Sequence, residues 1–99
     1  MNIIEAAQGF AAMGSDSRLE VLQTLVRAGK EGLRVGEIQD RTGISASTLA
    51  HHLKFLSAAG LIVQRKHGRV IMSTANYAHL EALAAFILEE CCIEEGECK

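Results

Sequence analysis

Residues 45–76 read SASTLAHHLKFLSAAGLIVQRKHGRVIMSTAN. Leu49, Leu53 and Leu56 recur four and three residues apart, which puts them on one helical face. Ser45 stands where a helix wants its N-cap and Gly60 where a helix ends, so the pattern predicts a helix from Ser45 through Ala59. After Gly60 the period changes. Leu61–Lys66 and Arg69–Ser73 are rich in Val and Ile and read as two strands. The residues between them, His67 and Gly68, suit a tight hairpin turn in which glycine takes positive φ.

Upstream, a short helix is expected from Val35 to Thr42, with Gly43 turning the chain into the helix that begins at Ser45. Two helices joined by a glycine-containing turn, then a hairpin, make a helix-turn-helix with a wing. Before them, Ile3, Ile4, Ala7, Phe10 and Ala11 mark a first helix, Ile3–Met13. Ser15 or Asp16 can cap a second, Ser17–Ala28, with Leu19, Leu22, Leu25 and Val26 as its stripe and Gly29 and Gly32 as its breakers. Asn76 can cap a last helix from Tyr77 to about Cys92. The expected fold is mainly α with a β-hairpin wing (α+β), a winged helix-turn-helix in the order ααααββα.

With 99 residues, 48% of them apolar, the chain can close one core, so residues 1–99 form a single domain, with 93–99 as a flexible Cys/Glu tail. No apolar run is long enough to span a bilayer and no basic leader opens the sequence, so the expected location is cytoplasmic.

The net charge of −2 conceals an asymmetry. No Asp or Glu lies between Arg41 and Leu80, where Arg41, Lys54, Arg65, Lys66 and Arg69 supply five cations and His51, His52, His67 and His79 all occur. From Glu81 onward six glutamates face one lysine. A basic middle indicates a polyanion-facing surface. Opposite the Leu stripe of the fourth helix lie Ser47, Thr48, His51 and Lys54, able to reach base edges and phosphates, while the amides at that helix's start favour an anion. Ser45 and His52 join this candidate set, His52 bordering the apolar stripe. Arg65, Lys66, His67 and Arg69 put fixed charge on the hairpin, suited to phosphate or the minor groove. The expected partner is double-stranded operator DNA. No nucleophile–base pair or phosphate-cradling loop is present, so an enzyme is not expected, nor a catalytic cofactor.

Residues 45–76 resemble the recognition helix and wing of the ArsR/SmtB family of metal-responsive repressors. Ser47–Leu56, Ala59-Gly60-Leu61 and Gly68-Arg69 carry the likeness, and MGSDSRLEVLQTL (13–25) is similar to the family's second helix. The resemblance implies a homodimer paired through the first and last helices. The last helix agrees, because Leu80, Leu83, Ile87 and Leu88 are joined by Phe86 on another face. A two-fold dimer would set two reading helices about one DNA turn apart.

Cysteine occurs only at Cys91, Cys92 and Cys98. An odd number in a chain expected in the cytosol points to ligand or redox chemistry, not a disulfide framework. Adjacent helical residues diverge by about 100°, so Cys91 and Cys92 share a centre only where the helix frays, and Gly96 would let Cys98 turn back. Three soft thiolates without histidine match the pyramidal bonding of trivalent arsenic or antimony, whereas structural zinc wants four ligands. The family's other sites are not matched: Val35–Ile38 lacks the Cys-x-Cys of one arsenic site, and Asn76, Ala78, Glu89 and Cys92 make a poor zinc set. The Cys-Cys-x5-Cys ending resembles arsenic-responsive members with a C-terminal site. The expected activity is a repressor released from DNA by arsenite or antimonite at Cys91, Cys92 and Cys98. The alternatives are a thiol-redox or persulfide switch, or another soft metal such as cadmium, lead, mercury or copper(I). A metal-independent regulator and a metal-buffering protein also stay open. The acidic helix end around the thiols is not the cationic setting that activates a sensor cysteine.

Overall fold

The computed structural model describes residues 1–96. Its elements are α1 (Ile3–Met13), α2 (Asp16–Ala28), β1 (Leu33–Arg34), α3 (Val35–Thr42), α4 (Ala46–Ala58), β2 (Ile62–His67), β3 (Val70–Ala75) and α5 (Tyr77–Leu88), followed by one 3-10 turn, Ile93–Glu95. Side chains set most helix starts. The Asn2 Oδ1 accepts from Glu5 N–H at 2.8 Å, Ser15 Oγ from Arg18 N–H at 3.1 Å and Asn76 Oδ1 from His79 N–H at 3.2 Å. Glu37 closes α3 differently. Its carboxylate accepts the Arg34 N–H at 2.9 Å, and that bond first, then the Arg34 side chain, holds it below the usual carboxylate range.

The core gathers Val21, Leu22 and Leu25 from α2, Ile38 from α3, Leu49, Leu53 and Leu56 from α4, Leu61 and Ile62 at the hairpin and Leu83 from α5. Each such fully buried side chain contributes about 1.5–3 kcal/mol. The α2 stripe is rotated from the one read in the sequence: Leu19 and Val26 are exposed, and Val21 and Thr24 take their places inside. In α1 it is the small residues Ala6, Gly9 and Ala12 that turn inward. Gly9 lets Leu83 approach so closely that an added Cβ would lie 2.8 Å from Leu83 Cδ1.

Three strands form one antiparallel sheet in the order β1-β3-β2. The two-residue strand β1, pairing Leu33 with Ser73 and Arg34 with Met72, has no counterpart in the sequence reading. The hairpin turn is also displaced by one residue. His67 pairs with Val70, so the loop is Gly68-Arg69, with φ of +65° at Gly68. Glycine in the first loop position fits a type II′ turn, whose twist matches the flanking strands. The expected turn would have set Lys66 opposite Arg69, a repulsive like-charge pair; the observed register sets Lys66 opposite Ile71 instead.

The last helix stops at Leu88, four residues short of the expected Cys92, and the chain continues in turns. Tyr77 Oη donates to the Val26 carbonyl at 2.9 Å, tying the start of α5 to the end of α2. Among the described residues no helix is long and apolar enough to cross a membrane.

Candidate nucleic-acid interface

Helix α4 buries Leu49, His52, Leu53 and Leu56 and exposes Ser47, Thr48, His51 and Lys54. At 100° per residue, Ser47, His51 and Lys54 stack in one outward ridge, as spacings of four and three require. Ser45 sits at the N-cap but does not cap. Its hydroxyl donates to Thr48 Oγ1 at 3.0 Å, and the first intrahelical bond is Leu49 N–H to Ser45 O at 2.8 Å. The amides of Ala46, Ser47 and Thr48 therefore point from the helix end without a side-chain acceptor, an arrangement suited to a phosphate.

His52 leaves the exposed set. It is 9% exposed, and among the described residues neither ring nitrogen has a partner. The reason is angular: one step from His51 carries the ring onto the Leu49–Leu53–Leu56 side. Burial holds its pKa below the usual histidine value, and the nearby charges of Arg18 and His51 add to this. A histidine kept neutral inside supports the fold fully above the unfolded-state pKa. That support is lost as pH falls below about 6.5, where only the unfolded chain takes up the proton. Urea unfolding between pH 7.5 and 5.5 is expected to show stability declining with acid, at no more than about 1.4 kcal/mol per pH unit from this group. The decline is expected to be shallower in His52→Leu; equal slopes would assign it elsewhere.

Alternation along the hairpin divides its cations between two faces. Gln64 and Lys66 share a face with Ser73 and Ile71, and Gln64 and Ile71 line a cleft of about 480 Å³ with Lys54 and Ser57 of α4. Arg65 and His67 point to the opposite face, where they border a second cleft of about 400 Å³ with Lys30 and Glu31. Arg69 occupies the turn. Reading helix and wing thus share one concave side, and a second basic edge lies behind it. Lys30 was not among the residues singled out in the sequence, because only the sheet brings the segment between Gly29 and Gly32 beside Arg65.

The candidate thiol site is described in part. Cys92 adopts a left-handed conformation, φ 59° and ψ 18°, and Cys91 Sγ lies 3.4 Å from Cys92 Sγ. Cys98 lies outside the described residues. Among the described residues no group of three His, Cys, Asp or Glu side chains could hold a metal ion. At 3.4 Å the two thiols lie within sulfur hydrogen-bond reach of one another.

A family profile described as a helix-turn-helix domain matches residues 13–65, from the end of α1 into β2. An uncharacterized HTH-type transcriptional regulator of Bacillus subtilis, YceK, is 41% identical over 63 residues, covering 64% of this chain and 62% of that protein. The putative arsenical resistance operon repressor ArsR2 of Halobacterium salinarum is 36% identical over 61 residues, covering 62% of this chain and 50% of that protein. The chain thus spans less than two thirds of the length of either relative. The solved structure of an ArsR-like transcriptional regulator from Rhodococcus sp. RHA1 superposes with a TM-score of 0.78 at 32% identity, over 94% of this chain and 84% of that one.

Proposed function

This chain belongs to the ArsR family of winged helix-turn-helix transcriptional regulators, and from that membership we propose that it binds operator DNA as a homodimer and leaves it when trivalent arsenic or antimony is captured by Cys91, Cys92 and Cys98. The observation that carries the DNA reading is the ridge Ser47–His51–Lys54. It begins at an uncapped helix start, and its Lys54 shares a cleft with Gln64 and Ile71 of the hairpin. In the reading, the α4 amides and Arg69 fix the protein on phosphates, while Ser47, Thr48 and His51 meet base edges.

The dimer is supported by what the protomer leaves uncovered. Ile3 and Ile4 of α1 are 69% and 67% exposed, and Ile87 and Leu88 of α5 are 64% and 65% exposed. Ala7, Ala78, Ala84 and Ala85 are exposed with them. Side chains of this kind are left in water by one protomer and covered by a second. The thiols follow Leu88 directly, with Cys91 N–H bonded to Leu88 O at 3.0 Å. Drawing three sulfurs onto one atom therefore pulls on the end of the pairing helix. Release requires only that the ligand bind one dimer geometry more tightly than the other, by about 1–3 kcal/mol in typical couplings.

Oxidation of the same thiols is the second reading, favoured by the 3.4 Å separation of Cys91 and Cys92 sulfurs. It predicts release by peroxide or persulfide without arsenic.

The DNA reading is tested on a duplex selected from a random library. Arg69→Ala is expected to weaken all duplexes alike and to lower the salt slope by about one. His51→Ala is expected to cost about 1–3 kcal/mol on the selected duplex and far less on unrelated DNA. Equal losses for His51→Ala on both would remove it from base reading, and binding with no salt dependence would remove the DNA interface altogether.

A further inference from the structure

On the flank of α4 away from the wing, α1 and the start of α2 leave a cleft of about 370 Å³. Ala11, Ala58, Ala59 and the Phe55 ring make its walls apolar, and among the described residues Arg18 is the one charged side chain on it. Phe55 is 47% exposed, unusual for a phenylalanine on a small domain's working helix. The volume falls at the small end of ligand pockets, which combine apolar walls with a few placed polar groups.

Arg18 is positioned and unspent. Its Nε donates to the Ala12 carbonyl at 2.6 Å and its Cζ lies 5.2 Å from the Phe55 ring centroid, so the guanidinium is locked over the cleft. Among the described residues it has no ion pair, which leaves its terminal nitrogens free. Among the described residues no acidic side chain lines the cleft. Burial first, and then the charges of Arg18 and His51, hold the pKa of the neighbouring His52 below its usual value.

We propose that this cleft binds a small apolar carboxylate, its ring or chain lying on Phe55, Ala58 and Ala59 and its carboxylate paired with the Arg18 guanidinium. A guanidinium presents the forked donors that a carboxylate accepts two at a time. The Phe55 ring also meets the His51 ring edge-on at 4.9 Å between centroids, so an occupant of the cleft touches the reading ridge through one aromatic contact. The site rests on the packing of α1, α2 and α4 and is independent of the thiol-based release proposed above.

The test uses the full chain and two probes, benzoate and its neutral isostere benzamide, followed by the ring resonances of Phe55 and His51. Benzoate is expected to shift both saturably with a Kd of about 1 mM or better, and benzamide to bind at least about tenfold more weakly. Arg18→Gln is expected to remove that preference. Because Arg18 also ties α2 to α1, Ala58→Phe serves as the second variant. It fills the cleft from an exposed helix end, and is expected to abolish binding in a folded protein. Equal binding of the two probes, unchanged benzoate binding in Ala58→Phe, or no saturation by about 10 mM benzoate would each overturn the proposal.

Discussion

Gly32→Ala is expected to destabilise the protein by about 3 kcal/mol or more, a large part of what a domain of this size has. Two costs add. Gly32 has φ of +74°, where a side chain costs about 1–2 kcal/mol. An added Cβ would also overlap the Ser73 carbonyl oxygen and come within 2.6 Å of Thr74 Cγ2. Ser73 is the residue that pairs Leu33, so relief of the clash must move β1 from β3. Gly43 separates the two causes. It has a similar φ of +72° and, among the described residues, nothing within 4 Å of its added Cβ, so Gly43→Ala is expected to cost only the conformational part, about 1–2 kcal/mol. Urea unfolding of both variants measures the difference. Equal losses would mean that the contact with β3 is unimportant.

The second large effect concerns pairing. Ile4→Glu combined with Leu88→Glu is expected to leave a folded monomer that binds the selected duplex at least about 100-fold more weakly. Both side chains are mostly exposed in the protomer, so the core does not need them. A carboxylate forced into an apolar interface without a partner is costly. Losing the second reading head removes the gain of bivalent binding, about 100- to 10,000-fold. Sedimentation should give the mass of one 10.7 kDa chain with an unchanged helical spectrum. A variant that stays dimeric would place the pairing surface elsewhere.

Much of this fold was legible because its punctuation is chemical. Ser15 and Asn76 cap helices through side chains that are visible in the sequence, and Gly43 and Gly60 end them at positive φ. The hairpin was legible but its register was not, since Gly68 could serve either of two adjacent turns. The choice depends on cross-strand neighbours, and the observed one keeps Lys66 from facing Arg69. A two-residue strand such as β1 carries no periodicity to read. At the interface, Ser47, Thr48, His51 and Lys54 are exposed as their spacing demands. His52 failed because it lies on the border of the stripe, where a single angular step decides between core and solvent. Lys30 and Arg18 depend on tertiary neighbours. At the tail, the helix that would have splayed Cys91 and Cys92 ends at Leu88, and the left-handed turn at Cys92 brings their sulfurs together.

Arsenite is titrated into the complex of this protein with its selected duplex, followed by fluorescence anisotropy beside the Cys91→Ser, Cys92→Ser and Cys98→Ser variants. The wild-type complex is expected to dissociate near one arsenic per chain, and each single variant to hold its DNA at that loading. Release of the variants at wild-type arsenite, or a wild-type complex indifferent to arsenite, would contradict thiol-based release.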